Sequence, residues 1–222
     1  SLAGAWGLSP NERGQLEQAC QLAKADLAST MVKEFPTLQG TIGKYYAQAS
    51  GEPPDVAIAI EEHYLPLGGK LPKTVVGSAL AILDKYDTLA SYFNIGIEPT
   101  GDQDPFGLRR AAQGIVEVAW TIKRPLPLDQ LFQGWAAAAA ASPNSAGKTQ
   151  PRITRYILER LDNFEWPKPA PATDCIDAVL ASPCDNLIDA MDRIVSLQQL
   201  AGHPGLRKAA KVIERTRNIL RG

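Results

Sequence analysis

Residues 96–112 read GIEPTGDQDPFGLRRAA, a turn-rich loop that runs into two adjacent arginines. Asp104 is placed to cap a helix and Pro105 to be its first residue. An N-cap carboxylate accepts free backbone amides, and proline gives up an amide that has no helical partner there. Asp102 and Asp104 lie where the positive end of a helix dipole favours anions. Arg109 and Arg110 follow within about one turn. Two readings of this segment stay open. It is a recognition surface built on paired cations, or a connection between helices whose arginines are simply solvated.

The flanks of this stretch are helical in pattern. Upstream, Thr74 caps a helix with Val76, Leu80, Leu83, Asp87 and Ala90 on one stripe, and Gly96 suits the left-handed position after its end. Downstream, the helix carrying the arginines runs to about Arg124, where Pro125 and Pro127 stop it, and the alanine-rich Leu128 to Ala141 follows as another. Nearer the start, Ser9-Pro10-Asn11-Glu12 forms a capping box. The helix it opens buries Leu16, Cys20, Ala23, Leu27 and Met31 and ends at Phe35-Pro36. Leu38 to Ala49 and Val56 to Tyr64 are two further helices. In the first of these, Gly40 and Gly43 are small enough to admit a neighbouring helix or an RNA backbone.

Ser142 to Pro151 is polar and reads as a flexible linker. Residues 1–142 and 152–222 are then two helical units joined by residues 143–151. In the second, Ile153, Ile157, Leu161 and Phe164 share a face, WPKPAPA at 166–172 is a stiff extended connection, and Thr173 and Ser182 start helices. Gly205 to Leu220 is the last helix. No window alternates with period two, so the expected class is all-α.

Composition narrows the functions available. The net charge of −1 announces no nucleic-acid partner, so any such contact rests on local basic patches. Three cysteines without a CxxC pair fit a reducing compartment better than a disulfide framework. No run of about 18 apolar residues is present, so no membrane span is expected.

Candidate chemistry is sparse. Gly147-Lys148-Thr149 resembles the end of a phosphate loop, but Ser142 stands where the motif needs glycine and no strand precedes it. His63 with Glu61, Glu62, Asp84 and Asp87 could gather round a divalent ion, or serve as packing and ion-pairing residues. No serine or cysteine sits beside a histidine as an activated nucleophile. The last helix carries Arg207, Lys211 and Arg215 four apart, either an electrostatic footprint for phosphates or a solvated face favoured by the helix dipole. Lys44 precedes Tyr45 and Tyr46, which could stack on bases or pack.

Several longer segments are more distinctive: Phe35-Pro36-Thr37-Leu38-Gln39-Gly40, Glu62-His63-Tyr64-Leu65-Pro66, Asp84-Lys85-Tyr86-Asp87-Thr88-Leu89 and Asp104-Pro105-Phe106-Gly107-Leu108-Arg109-Arg110-Ala111-Ala112. Through these the chain resembles the β subunit of bacterial heterotetrameric glycyl-tRNA synthetase, over nearly its whole length. The resemblance implies an internal piece of that longer subunit: an HD-superfamily-like helical domain, then a smaller helical unit leading into the anticodon-binding region. It implies tRNA binding and presentation to the α subunit, whose active site uses ATP and Mg. No cofactor or metal is expected in this piece. Glycine tRNA and the α subunit are the implied partners, in the cytoplasm, with neither DNA nor membrane.

On that basis Lys44, Arg109, Arg110, Lys211 and Arg215 are candidate tRNA contacts, and no residue is expected to be catalytic. HD phosphohydrolases ligate metal through a His, a consecutive His-Asp pair and a later Asp. This chain has no His-Asp dipeptide. The resemblance makes Asp26, His63, Asp84 and Asp87 the degenerate counterparts of such a site. Two other functions stay open, a metal-dependent phosphohydrolase and a purely structural scaffold between subunits.

Overall fold

The computed structural model describes residues 2–99, 104–139 and 143–221. Twelve helices are assigned among them and no strand. In chain order they are α1 (Leu2–Ala5), α2 (Pro10–Leu22), α3 (Thr30–Glu34), α4 (Thr41–Ala49), α5 (Pro54–Glu62), α6 (Val75–Asn94), α7 (Leu108–Ile122), α8 (Leu128–Ala138), α9 (Pro143–Leu158), α10 (Thr173–Leu180), α11 (Leu187–Leu200) and α12 (Pro204–Arg221). The all-α class is as the sequence implies. Asp102 and Ser142 lie outside the described residues, as do the side chains of Arg207, Glu214, Arg217 and Arg221.

α6 is the axis of the fold. Ala79, Ile82, Leu89, Ala90 and Phe93 are buried along it, and α5, α7, α9 and α2 pack around it. Local chemistry fixes both of its ends. The Thr74 hydroxyl accepts the Gly77 amide, and Gly96 takes φ +82 beyond the last turn. Glu62, buried at the end of α5, locks the connection to α6. Its carboxylate accepts the Lys73 and Thr74 amides at 2.8 and 3.1 Å and the Thr74 hydroxyl at 2.5 Å. A Cβ at Gly77 would collide with that carboxylate. Across the core, the Tyr86 hydroxyl donates to the Leu128 carbonyl at 3.1 Å.

The first long helix departs from its expected course. The capping box is present, since Ser9 accepts the Glu12 amide and Glu12 accepts back. The helix then ends at Leu22, because Lys24 adopts a left-handed conformation with φ +64. A short 3-10 turn, Ala25–Ala28, follows before α3. The expected buried stripe is kept only in part: Leu16 is buried and Ala23 packs partly buried against the core, whereas Cys20 is exposed and Leu27 and Met31 face solvent. The break turns Asp26 inward instead. Gly40 and Gly43 serve packing, against Tyr64 and against Ile60 with Asp26.

The connection expected to be a flexible linker is helical where it is described, with Pro151 inside α9. Ile153, Ile157, Leu161, Leu187, Met191 and Ile194 are fully buried in the same apolar cluster as α6 and α7. Backbone bonds from Leu128 to Asp185 and from Leu187 to Leu126, at 2.7 and 3.2 Å, stitch the later helices to the α7–α8 junction. Ile153 and Ile157, just beyond that connection, are buried where α9 packs on α6, and apolar burial favours an ordered helix there. Two helix starts also differ. Thr173 opens α10 with no side-chain cap, and α11 starts at Leu187, with Asn186 rather than Ser182 capping it through the Ile188 amide.

Candidate nucleic-acid interface

The opening stretch forms a cap by a longer route than its local sequence suggests. α7 begins at Leu108, not Pro105, and its N-cap residue is Gly107 at φ +68. Residues 104–107 form a turn, with the Gly107 amide donating to the Asp104 carbonyl at 3.1 Å. The turn folds the Asp104 side chain back over the helix end. One carboxylate oxygen accepts the Leu108 amide at 2.7 Å, and the other accepts the Arg109 amide at 2.9 Å. Two orphan amides of the first turn are thereby satisfied by an anion at the positive end of the helix dipole.

This cap aims α7 along one side of an open groove of about 480 Å³. Arg109, Arg110, Gly114 and Glu117 of α7 line it, facing Pro66, Leu67 and Gly68 and, on the other side, Arg160 and Asn163 from the 3-10 turn Glu159–Asn163. The Pro66 wall is held close by Gly114, where a Cβ would lie 2.8 Å from Lys85 Cε and 3.0 Å from Pro66 Cδ. Beneath it, the Lys85 ammonium donates to the His63 and Leu65 carbonyls at 3.0 and 2.5 Å. Burial pulls the Lys85 pKa down to about 8, against the pull of Asp84.

Arg160 carries no mark of function in the sequence, yet it completes a group of three guanidinium groups on one groove. Its guanidinium carbon lies 4.7 Å from the Tyr156 ring centroid, a cation–π contact that holds its plane. Its Nε is buried with no hydrogen-bond partner among the described residues. Neither Arg110 nor Arg160 is ion-paired with a described carboxylate. Arg109 lies in the same field. Burial raises the Tyr156 pKa, and Arg160 and Arg109 oppose that rise while Asp104 adds to it. Arg110 and Arg160 therefore face the groove with Glu117 as the acidic residue among its lining, in a chain of net charge −1.

The other predicted cations stand elsewhere. Lys44 donates to Glu61 at 2.6 Å, and Thr41 donates to the same carboxylate, so this charge is neutralised within the α4–α5 contact. Lys211 and Arg215 are exposed on α12 and do not line the groove.

The four degenerate positions do not converge as metal ligands. Asp26 is buried with both oxygens occupied, one by the Gly40 amide at 2.6 Å and one by the Tyr64 hydroxyl at 2.9 Å. His63 is fully buried beside Tyr64, and its Nδ1 bonds the Ile60 carbonyl at 2.6 Å. Desolvation lowers its pKa despite that bond and the nearby Asp84. Asp84 is ion-paired with Lys24, and Asp87 is exposed. Among the described residues, no three His, Cys, Asp or Glu side chains are grouped to hold an ion. No described helix is long and apolar enough to cross a membrane.

Comparison with known proteins agrees with the distinctive motifs. A family model described as glycyl-tRNA synthetase beta subunit matches residues 2–181. The chain is 39% identical over 217 residues to the glycine–tRNA ligase beta subunit of Acaryochloris marina, covering 92% of this chain and 30% of that protein. It is 40% identical to the corresponding subunit of Dechloromonas aromatica, covering 92% of this chain and 29% of the relative. The subunit of Janthinobacterium sp. is 39% identical and matches the entire chain and 31% of its own length. The chain thus spans about three-tenths of the length of the curated relatives it matches.

Proposed function

The chain belongs to the glycyl-tRNA synthetase beta subunit family, and from that premise we propose that it holds tRNA for glycyl-tRNA synthesis. The chemistry of that reaction, with ATP and Mg, belongs to an α-subunit active site, and this part of the β subunit is a noncatalytic binding element. The observation that carries the reading is the convergence of Arg109, Arg110 and Arg160 on one groove. Guanidinium groups suit phosphate oxygens, because their planar donors can bond two at once. Contacts of this kind position a nucleic acid without reading its bases.

Lys211 and Arg215 on α12 provide a second, separate cationic face for the same polyanion. Lys44 contributes little, because its charge is already matched by Glu61. Crosslinking glycine tRNA to the assembled synthetase tests this reading. Adducts on residues lining the Arg110–Arg160 groove are expected. Adducts confined to other parts of the β subunit would overturn it.

A further inference from the structure

We propose that Phe106 is a stacking platform for an unpaired nucleobase, beside the arginine groove. The proposal rests on the tRNA-binding reading and adds a contact of a different chemical kind. Phe106 sits in the turn between Asp104 and Gly107 and is 49% exposed, although it is large and apolar. One face of its ring is taken. Tyr92 stacks against it with centroids 4.6 Å apart and planes 29° from parallel. Backed by α6 in this way, the ring is held rather than free to collapse onto the surface.

Phe106 lines a small cleft with Glu98 and Asp104, and both carboxylates are engaged, Glu98 by Arg152 and Asp104 by the first amides of α7. The Arg110 side chain folds back over the same turn, with one terminal nitrogen 3.0 Å from where a Cβ on Gly107 would lie. A half-exposed aromatic ring therefore sits one residue before the glycine that a guanidinium covers, and that guanidinium has no carboxylate partner among the described residues. That pairing matches a base and its own phosphate. Unpaired RNA bases stack on aromatic faces, whereas bases in a duplex are already stacked on each other. Glycine at 107 keeps the turn in its left-handed conformation and leaves room for the guanidinium.

The test uses the whole synthetase, with glycine tRNA affinity measured over a salt series. Phe106→Leu keeps apolar packing on Tyr92 but removes the π face, and Phe106→Trp keeps a face. Phe106→Leu is expected to weaken binding by at least about fivefold with the salt slope unchanged. Phe106→Trp is expected to bind as the wild type does. Arg110→Ala, measured alongside, is expected to lower the slope. If Phe106→Leu binds normally while Arg110→Ala lowers the slope, Phe106 only packs on Tyr92 and the stacking proposal falls, while the groove stands. If neither variant changes binding, both readings fall.

Discussion

The carboxylate of Asp104 accepts the backbone amide of Arg109 at 2.9 Å, across the turn that precedes α7. The residue that caps the helix is thus bonded to the backbone of the first groove arginine. The same carboxylate holds the Leu108 amide. Helix start and cationic groove form one unit, and the geometry of one depends on the other.

Asp104→Ala removes both bonds and the favourable charge at the helix dipole. It is expected to destabilise the protein by roughly 1–2 kcal/mol, and Asp104→Asn by less, because an amide oxygen still accepts. Urea denaturation of the two variants checks this. Equal midpoints for wild type and Asp104→Ala would show that the cap carries no stability.

Asp26 is expected to be structural. Asp26→Ala leaves the Gly40 amide and the Tyr64 hydroxyl without acceptors in a buried site, a loss on the order of 2–3 kcal/mol. For a chain of this size that lowers the melting temperature by several degrees. Manganese added to the wild type should leave the melting temperature unchanged. An Asp26-dependent stabilisation by manganese would mean that a metal site persists here.

His63 should make stability depend on pH. Its folded pKa lies below 6.5 because burial disfavours the imidazolium, outweighing the Ile60 carbonyl and Asp84, while Lys24 and Lys85 push the same way as burial. Below about pH 6.5 the unfolded chain takes up a proton that the folded chain refuses. Stability from this group is therefore full above pH 6.5 and declines as the pH falls towards the folded value, by at most about 1.4 kcal/mol per pH unit. Urea midpoints between pH 7 and 5 should fall less steeply in His63→Gln. Parallel profiles for the two proteins would contradict the assignment.

Much of the fold can be read from single residues. The Ser9 and Thr74 caps and the Gly96 stop each act over a few positions, and all three form as local chemistry requires. What could not be read locally involves distant partners. The left-handed turn at Lys24 accompanies the Lys24–Asp84 ion pair and the burial of Asp26 against Gly40 and Tyr64. Lys44 reads as a free cation until α4 packs on α5 and supplies Glu61. The polar stretch ending at Pro151 reads as a linker because it holds few apolar residues, and the helix it joins is fixed by burial of Ile153 and Ile157 beyond it. Arg160 is the clearest case. Nothing in Leu158-Glu159-Arg160-Leu161 singles it out, and only the packing of that turn beside α7 brings it to Arg109 and Arg110.

The measurement that tests the groove most directly is the salt dependence of glycine tRNA binding to the complete synthetase. Wild type should be compared with Arg109→Ala/Arg110→Ala/Arg160→Ala, using circular dichroism melting to establish that the variant is folded. Removing one cation–phosphate pair lowers the slope of log affinity against log salt by about 0.7–0.9. The triple variant is therefore expected to bind more weakly at low salt, with a slope smaller by roughly two units. A folded triple variant with the wild-type affinity and slope would contradict the assignment of this groove to tRNA.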